Sequence, residues 1–421
     1  MKHIIFLLIL LLLFSCARAP LKDRKMALRR VGEIPKLRDD LPLETLIQGI
    51  KSQIIHLQTH RPKIVDFSFA DKKFSVAQYL ASLNYLIDLY NKKPDKEFFL
   101  KELQENFDFY EVYGRDNYGE VFITSYYEPV LKGSLKPKGK LTQALYKRPS
   151  DLVRIELKNF VRSHDYSLRC KDCSKLYGRI SEKPSATGLP HIIPHFSRKE
   201  IDQGGALQGK DLSLCYVDPL EAFLLHIQGS GTIELEDGTS FRLGFHGQNG
   251  RRYISLGKTL TDIIPLEQMN LPRLEEYLRS LTYEELMDVL SRNPSYVFFK
   301  KLAGRPVTSL GTEVIDGRTI ATDARFFPKG ALGFLLFSKP VFKDDKHSIT
   351  EEFELTGRLV LDQDTGGAIY GGGRVDLFWG RGKEAKRYAG VMKGYGELYY
   401  LAPKSSLLAK LFPTKPAIVN K

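Results

Sequence analysis

The chain has 421 residues, 43% hydrophobic and 27% charged, and its 63 basic against 50 acidic residues leave a formal net charge of +13. At ~150 residues per domain this length suggests two or three domains. So basic a balance favours anionic partners, whether nucleic acid, acidic lipid or an acidic polymer, and charge alone does not choose among them.

Lys2 and His3 precede an unbroken apolar run from Ile4 to Phe14. A basic start followed by such a run has the form of an export signal over residues 1–15. It is too short to span a bilayer, which takes ~20 residues. The run ends in Leu13-Phe14-Ser15-Cys16, which resembles the bacterial lipoprotein cleavage site. That resemblance implies that Cys16 becomes the mature N-terminus and carries the acyl chains. The alternative is an ordinary secretory signal with an incidental cysteine. Export removes nucleic acid from the partners and leaves the anionic cell envelope, including the peptide carboxylates of peptidoglycan. Residues 16–42 then read as lipid anchor and a basic, unpatterned tether.

Leu43, Ile47, Ile50, Ile54 and Leu57 recur at helical spacing, and Tyr79, Leu80, Leu83, Leu86 and Ile87 repeat the pattern from Val76 to Tyr90. Both are read as packing helices. From Val121 strand patterns dominate, as in Val121-Phe122-Ile123-Thr124 and in Thr232 to Leu235 before the turn Asp237-Gly238. Cys170 and Cys173 could form half a zinc site, a redox pair or a local disulfide. No second pair completes a zinc site, so a structural disulfide is favoured, with Cys215 left over. Leu271 to Leu290 reads as helical, with Asn270 as N-cap. After Pro294 come short apolar runs divided by Gly and Pro, at Tyr296–Phe299, Thr319–Ala321, Leu332–Phe337 and Arg358–Leu361. Short strands with turn signals at this spacing suggest an all-β barrel.

Several chemistries lack their residues. There is no H-E-x-x-H, no G-x-x-x-x-G-K-[ST] and no G-x-S-x-G, so zincin, P-loop and nucleophile-elbow sites are unsupported. The unusual features are three aspartates. Asp323 in Thr322-Asp323-Ala324-Arg325, Asp364 before Thr365-Gly366-Gly367, and Asp376 in Val375-Asp376-Leu377-Phe378-Trp379 each lie at the edge of an apolar run. A carboxylate on a barrel strand costs several kcal/mol unless it is paired or protonated. Such groups are found at working sites and in structural ion pairs alike.

Thr312 to Gly330, the Asp364 to Ile369 run and Arg374 to Gly380 resemble the three-aspartate "3D" domain of the membrane-bound lytic murein transglycosylase A family. Thr124-Ser125-Tyr126-Tyr127-Glu128-Pro129, Leu225-His226-Ile227-Gln228-Gly229-Ser230-Gly231 and Asn293 to Phe299 are similar to three further motifs of it, in the right order. The resemblance implies a mainly β protein with N-terminal helices. A double-psi β-barrel domain would comprise residues 43–129 and 307–403. An inserted β-rich domain would comprise residues 130–306, with the substrate groove between them. It implies Asp376 as the catalytic acid and base, with Asp364 and Asp323 in support. Thr124, Tyr126, Tyr127, Gln228, Gly229 and Ser230 would bind substrate.

The expected activity is cleavage of peptidoglycan glycan strands to 1,6-anhydro-N-acetylmuramic acid ends, without metal or cofactor, and the resemblance alone implies that the cleavage is exolytic. The expected location is the periplasmic face of the outer membrane. Ser125 stands where the family usually has glycine, and Glu128 adds an acid. A hydrolase using Asp376 with Glu128 or Asp364, or a non-catalytic peptidoglycan-binding lipoprotein, remains as the alternative. Cys16→Ala is expected to abolish labelling by a palmitate analogue and leave unprocessed or soluble protein, and labelling that persists would rule the anchor out.

Overall fold

The computed structural model describes residues 24–59, 66–114, 117–157, 175–304, 306–344, 349–350, 352–366 and 369–413. Cys16, Cys170 and Cys173 lie outside them. The chain divides into two compact units, one of residues 1–126, 305–380 and 392–421, the other of residues 127–304 and 381–391. Residues 381–391 thus leave the continuous 307–403 stretch expected from the sequence. The Gly382–Val391 helix carries Lys386, whose ammonium lies 2.6 Å from Glu275 Oε1, a second-unit residue.

The first unit holds both expected N-terminal helices, Leu43–Thr59 and Val76–Asn91. The second starts in a capping box, where Ser75 accepts from the Gln78 amide and the Gln78 side chain returns to the Ser75 amide. Its fully buried Tyr79 donates a hydrogen bond to Leu401 O (3.1 Å) and accepts one from Leu332 N (2.9 Å), which ties the helix to the sheet beneath.

That sheet has eight strands in the spatial order Leu28–Arg30, Phe107–Val112, Lys393–Pro403, Leu332–Pro340, Phe353–Asp364, Thr319–Ala321, Arg374–Arg381 and Val121–Glu128. Lys393–Pro403 also pairs with Val121–Glu128, so the last six close into a ring. The expected barrel is present. A closed ring leaves none of those six strands with an unpaired edge. Thr319–Ala321 and Phe353–Asp364 run parallel, and residues 356–363 of the latter are buried without interruption. Burial on both faces explains why this stretch lacks alternation in the sequence.

In the second unit Val297–Leu302, Ser240–Gln248, Ser230–Leu235 and Val130–Gly133 form a four-stranded sheet. Its core includes Leu131, Leu145, Val217, Leu225, Ile233, Leu243 and Phe299. Cys215 is buried there, and burial pushes its thiol up to about 12.

One expectation gains detail and another needs correction. The helical stretch from Leu271 to Leu290 is present as two helices, Leu271–Ser280 and Tyr283–Ser291. Thr282 and Glu285 form a capping box that starts the second, while Asn270 caps the first as expected. The described part of the expected tether is packed structure. Leu28–Arg30 pairs antiparallel with Phe107–Val112, and Leu37 and Asp39 are buried. Leu28 sits opposite Val112, a partner too distant in the chain to leave a local pattern.

Asp39 anchors this segment. Its carboxylate meets Arg318 Nη1 at 2.6 Å with both side chains fully buried. Arg318 also donates to Leu359 O, Pro42 O and Thr45 Oγ1 at 2.8, 2.8 and 2.9 Å. Breaking a buried pair from one side leaves an uncompensated charge. Asp39→Ala should therefore lower the stability of this unit by ~3–5 kcal/mol in denaturant titration; a loss under ~1 kcal/mol would show that the segment is a tether after all.

Candidate active site

Alternation along two adjacent strands builds the site. On Arg374–Arg381, Val375 and Leu377 point into the barrel core, which leaves Arg374, Asp376 and Phe378 on the other face. On Val121–Glu128, Val121 and Ile123 enter the same core, which leaves Phe122, Thr124 and Tyr126 outside it. The two outer rows meet in pairs. Arg374 lies 5.3 Å from the Phe122 ring centroid, Thr124 Oγ1 donates to Asp376 Oδ1, and Tyr126 and Phe378 rings are 5.1 Å apart. Ala321 lies opposite Asp376 on the remaining side.

Arg374 Nη2 donates to Thr124 Oγ1 at 3.1 Å and stands 3.6 Å from Asp376 Oδ1. Only 19% of the Asp376 side chain is exposed. Burial raises its pKa, the Thr124 hydrogen bond and the Arg374 charge lower it, and the balance lies above the usual carboxyl value. Asp376 is thus biased toward its neutral, proton-donating form.

The other two aspartates are held differently. Asp364 Oδ2 accepts from the Tyr126 hydroxyl at 2.8 Å, and Oδ1 accepts from the Ser309 and Thr365 amides, both at 2.9 Å. Burial first, and then the Asp364 charge, push the Tyr126 phenol well above its usual pKa, so it stays a donor. Asp323 accepts from Arg325 Nη2 at 2.6 Å and from the Gly371 amide at 2.8 Å. Burial raises the Asp323 pKa, but Arg325 and the two backbone amides outweigh it and hold the carboxyl below its usual range. Asp323 thereby fastens the glycine turn that leads into the Asp376 strand. Gly371 has φ +86°, a conformation that costs glycine little.

Sequence reasoning gave no role to the group beneath these residues. Lys329 Nζ lies 2.6 Å from Asp362 Oδ1, 2.7 Å from Asp364 O, and 2.9 and 2.8 Å from Thr322 O and Oγ1. Tyr400 and Thr322 hydroxyls donate to Asp362 Oδ2 at 2.6 and 2.7 Å. Asp362 is fully buried and this cluster satisfies both its oxygens. An aspartate inside an apolar run was the available signal, but Lys329 and Tyr400 are identified only by the fold.

In the second unit Asp218 caps the Pro219–Gln228 helix by accepting from the Leu220 and Glu221 amides. Gly229 ends it at φ +80°, which releases Ser230 into the next strand. Gln228, Gly229 and Ser230 are half-buried at this junction. Gln228 Oε1 accepts from the Tyr127 amide at 3.5 Å. Tyr127 itself is 3% exposed, so its ring is packed rather than open. Glu128 is buried, accepting from Arg242 Nε at 2.9 Å with Arg381 Nε at 3.3 Å. Its carboxylate is occupied by two guanidinium groups.

The chain is 30% identical over 303 residues to "Membrane-bound lytic murein transglycosylase A" of Escherichia coli K12, covering 71% of this chain and 70% of that one. It belongs to the membrane-bound lytic murein transglycosylase A family. Two family models match, the MltA specific insert domain over residues 122–300 and the 3D domain over residues 318–402. The first spans Thr124 to Glu128 and Gln228 to Ser230, the second Asp323, Asp364 and Asp376. Among solved structures, MltA from Neisseria gonorrhoeae is similar at TM-score 0.63 and 26% identity, covering 92% of this chain and 97% of that one. Escherichia coli MltA with bound chitohexaose shares the fold at TM-score 0.64 and 22% identity, covering 91% and 96%.

Glu128 offers a direct check on which acids matter. Glu128→Gln removes a charge that pairs with Arg242 and Arg381, so chemical denaturation should register a loss of ~1–3 kcal/mol. Turnover at a permissive temperature should stay within a few-fold of the parent, and a collapse in kcat with stability intact would make Glu128 a second catalytic acid.

Proposed function

We propose that this chain is a peptidoglycan lytic transglycosylase in which Asp376 is the sole general acid and base. The observation that carries the assignment is the contrast among the carboxylates. Asp323, Asp362, Asp364 and Glu128 are each committed to cations or to several donors. Asp376 accepts one hydroxyl, has Arg374 at 3.6 Å rather than in hydrogen-bonded contact, and is driven toward neutrality by burial. A hydrolase ordinarily needs two working carboxylates. This chemistry needs one.

Asp376 gives its proton to the glycosidic oxygen between N-acetylmuramic acid and N-acetylglucosamine. The bond from the muramyl anomeric carbon breaks, and its electron pair stays on that oxygen. The 6-hydroxyl oxygen of the same muramyl ring bonds to the anomeric carbon, and its proton passes to Asp376. The acid is restored, no water is consumed, and the product ends in a 1,6-anhydro ring. Because nucleophile and electrophile share one sugar, proximity supplies much of the acceleration.

Tyr126 and Thr124 beside the acid, and Gln228, Gly229 and Ser230 in the second unit, are proposed to contact the glycan on the resemblance of their motifs, whereas the buried Tyr127 ring is left to packing. Exolytic cleavage and a lipid anchor at Cys16 on the periplasmic face of the outer membrane belong to the same reading. The relatives are membrane-bound by name.

Asp376→Asn keeps shape but neither gives nor takes a proton at neutral pH. General acid–base catalysis contributes ~10²–10⁴-fold, and here one group serves both halves of the reaction. Release of anhydro-muropeptides from purified sacculi should fall at least ~100-fold, while sedimentation with insoluble peptidoglycan persists. Mass spectra showing ordinary reducing ends, or full activity of the variant, would overturn the mechanism.

A further inference from the structure

Asp376 faces a problem that its neighbours define. It must be neutral to start the reaction and anionic midway through it. A close, bidentate arginine would hold a carboxylate ionised throughout. Burial alone would keep it neutral but leave the anion unsupported once the proton is gone.

The surroundings of Asp376 lie between these limits. Arg374 stands 3.6 Å from Asp376 Oδ1, beyond hydrogen-bond range, and donates instead to Thr124 Oγ1 at 3.1 Å. The one hydrogen of the Thr124 hydroxyl points to Asp376 Oδ1. Two donors therefore converge on a single carboxyl oxygen, the second acting through the first. Arg374 is held in place by the Phe122 ring, whose face suits a planar guanidinium. Among the described residues no other carboxylate lies within ion-pair distance of it, and its Nε is buried without a hydrogen-bond partner. A purely structural arginine would be better satisfied than this.

The remaining polar groups near Asp376 do not duplicate the effect. Tyr126, from the Val121–Glu128 strand, faces Asp376 but spends its hydroxyl on Asp364. Thr319–Ala321 presents Ala321. Lys393–Pro403 places Lys393 opposite Thr124 in the strand register. Asp362 is neutralised by Lys329 at 2.6 Å.

We propose that Arg374 and Thr124 form a donor relay onto Asp376 Oδ1, a positioning pair that confines the transferable proton to Oδ2 and supports the carboxylate once that proton has left. This rests on the reading of Asp376 as the acid and base. The arginine acts at one remove, so burial prevails before transfer and the relay stabilises the anion after it. Its charge strengthens the acid half of the reaction and leaves the recovered base weak enough to release its proton in the next cycle.

The test is the pH dependence of turnover on a peptide-free glycan oligomer. Activity needs protonated Asp376, so it is lost as pH rises through that group's pKa. Removing a nearby cation raises a carboxyl pKa. Arg374→Met should therefore move the alkaline limb upward by about one pH unit or more and lower kcat by about tenfold, with KM within twofold. Arg374→Lys, which keeps the charge, should leave the limb near its original place. Thr124→Val should move it upward as well and Thr124→Ser should restore it; this pair carries the test should Arg374→Met fail to fold. Carbon-13 NMR of labelled aspartate carboxyls, with Asp376 assigned by its absence from Asp376→Asn, reads the same shift without catalysis. A limb and a resonance unmoved in both Arg374→Met and Thr124→Val would refute the relay. So would an effect on KM alone, which would make Arg374 a substrate-binding group. Full activity in Asp376→Asn would instead remove the acid–base reading itself.

Discussion

The site depends on closure of the six-stranded ring. Val121–Glu128 pairs on one side with Lys393–Pro403 and on the other with Arg374–Arg381, and this brings Thr124 against Asp376 across 252 positions of sequence. Because side chains alternate along each strand, one registration of two strands sends Val121, Ile123, Val375 and Leu377 inward together. The same registration sets Phe122, Thr124 and Tyr126 against Arg374, Asp376 and Phe378. A slip of one residue would bury the polar row and expose the apolar one. The hydrophobic core therefore enforces the geometry of the proposed site, and the hydrogen bonds there ride on a registration that apolar burial has already chosen.

Around this registration the barrel distributes acids by how completely each is satisfied. Asp362, at the bottom, has a lysine and two hydroxyls. Asp364 has two amides and a phenol, and Asp323 has an arginine and two amides. A carboxylate so supplied organises backbone and aromatic groups about itself. Asp376 is left under-supplied, and a proton is the remaining way to settle its charge. The three-aspartate pattern is thus a division between carboxyls that hold the structure and one that can change its protonation state.

Much of this was legible in the sequence, and the reasons differ by element. The two N-terminal helices were readable because each buries one face, so their periodicity survives in the chain. Asp376 stood out because a charged residue interrupts an apolar run. Asp364 and Asp323 could be named but not explained, since their donors come from Ser309, Tyr126, Arg325 and Gly371 and only the fold assembles them. The break between Leu271–Ser280 and Tyr283–Ser291 was available in Thr282-Tyr283-Glu284-Glu285, a capping-box pattern masked by continuous helical spacing on either side. Leu28–Arg30 was not available at all. A three-residue strand in a basic stretch takes its meaning from a partner about eighty residues later.

That short strand sets a distance. The first described residue, Arg24, lies eight positions after Cys16 in the chain. An extended chain covers at most ~3.6 Å per residue, so an acylated Cys16 would leash the barrel within about 30 Å of the bilayer surface. An unpatterned segment running to Pro42 would have allowed roughly three times that radius. If Cys16 is acylated as proposed, the Asp39–Arg318 pair and the Leu28–Val112 pairing would shorten the leash by holding residues 28–39 on the first unit. The glycan strands within reach would then lie no farther from the membrane than this leash plus the breadth of the unit it holds.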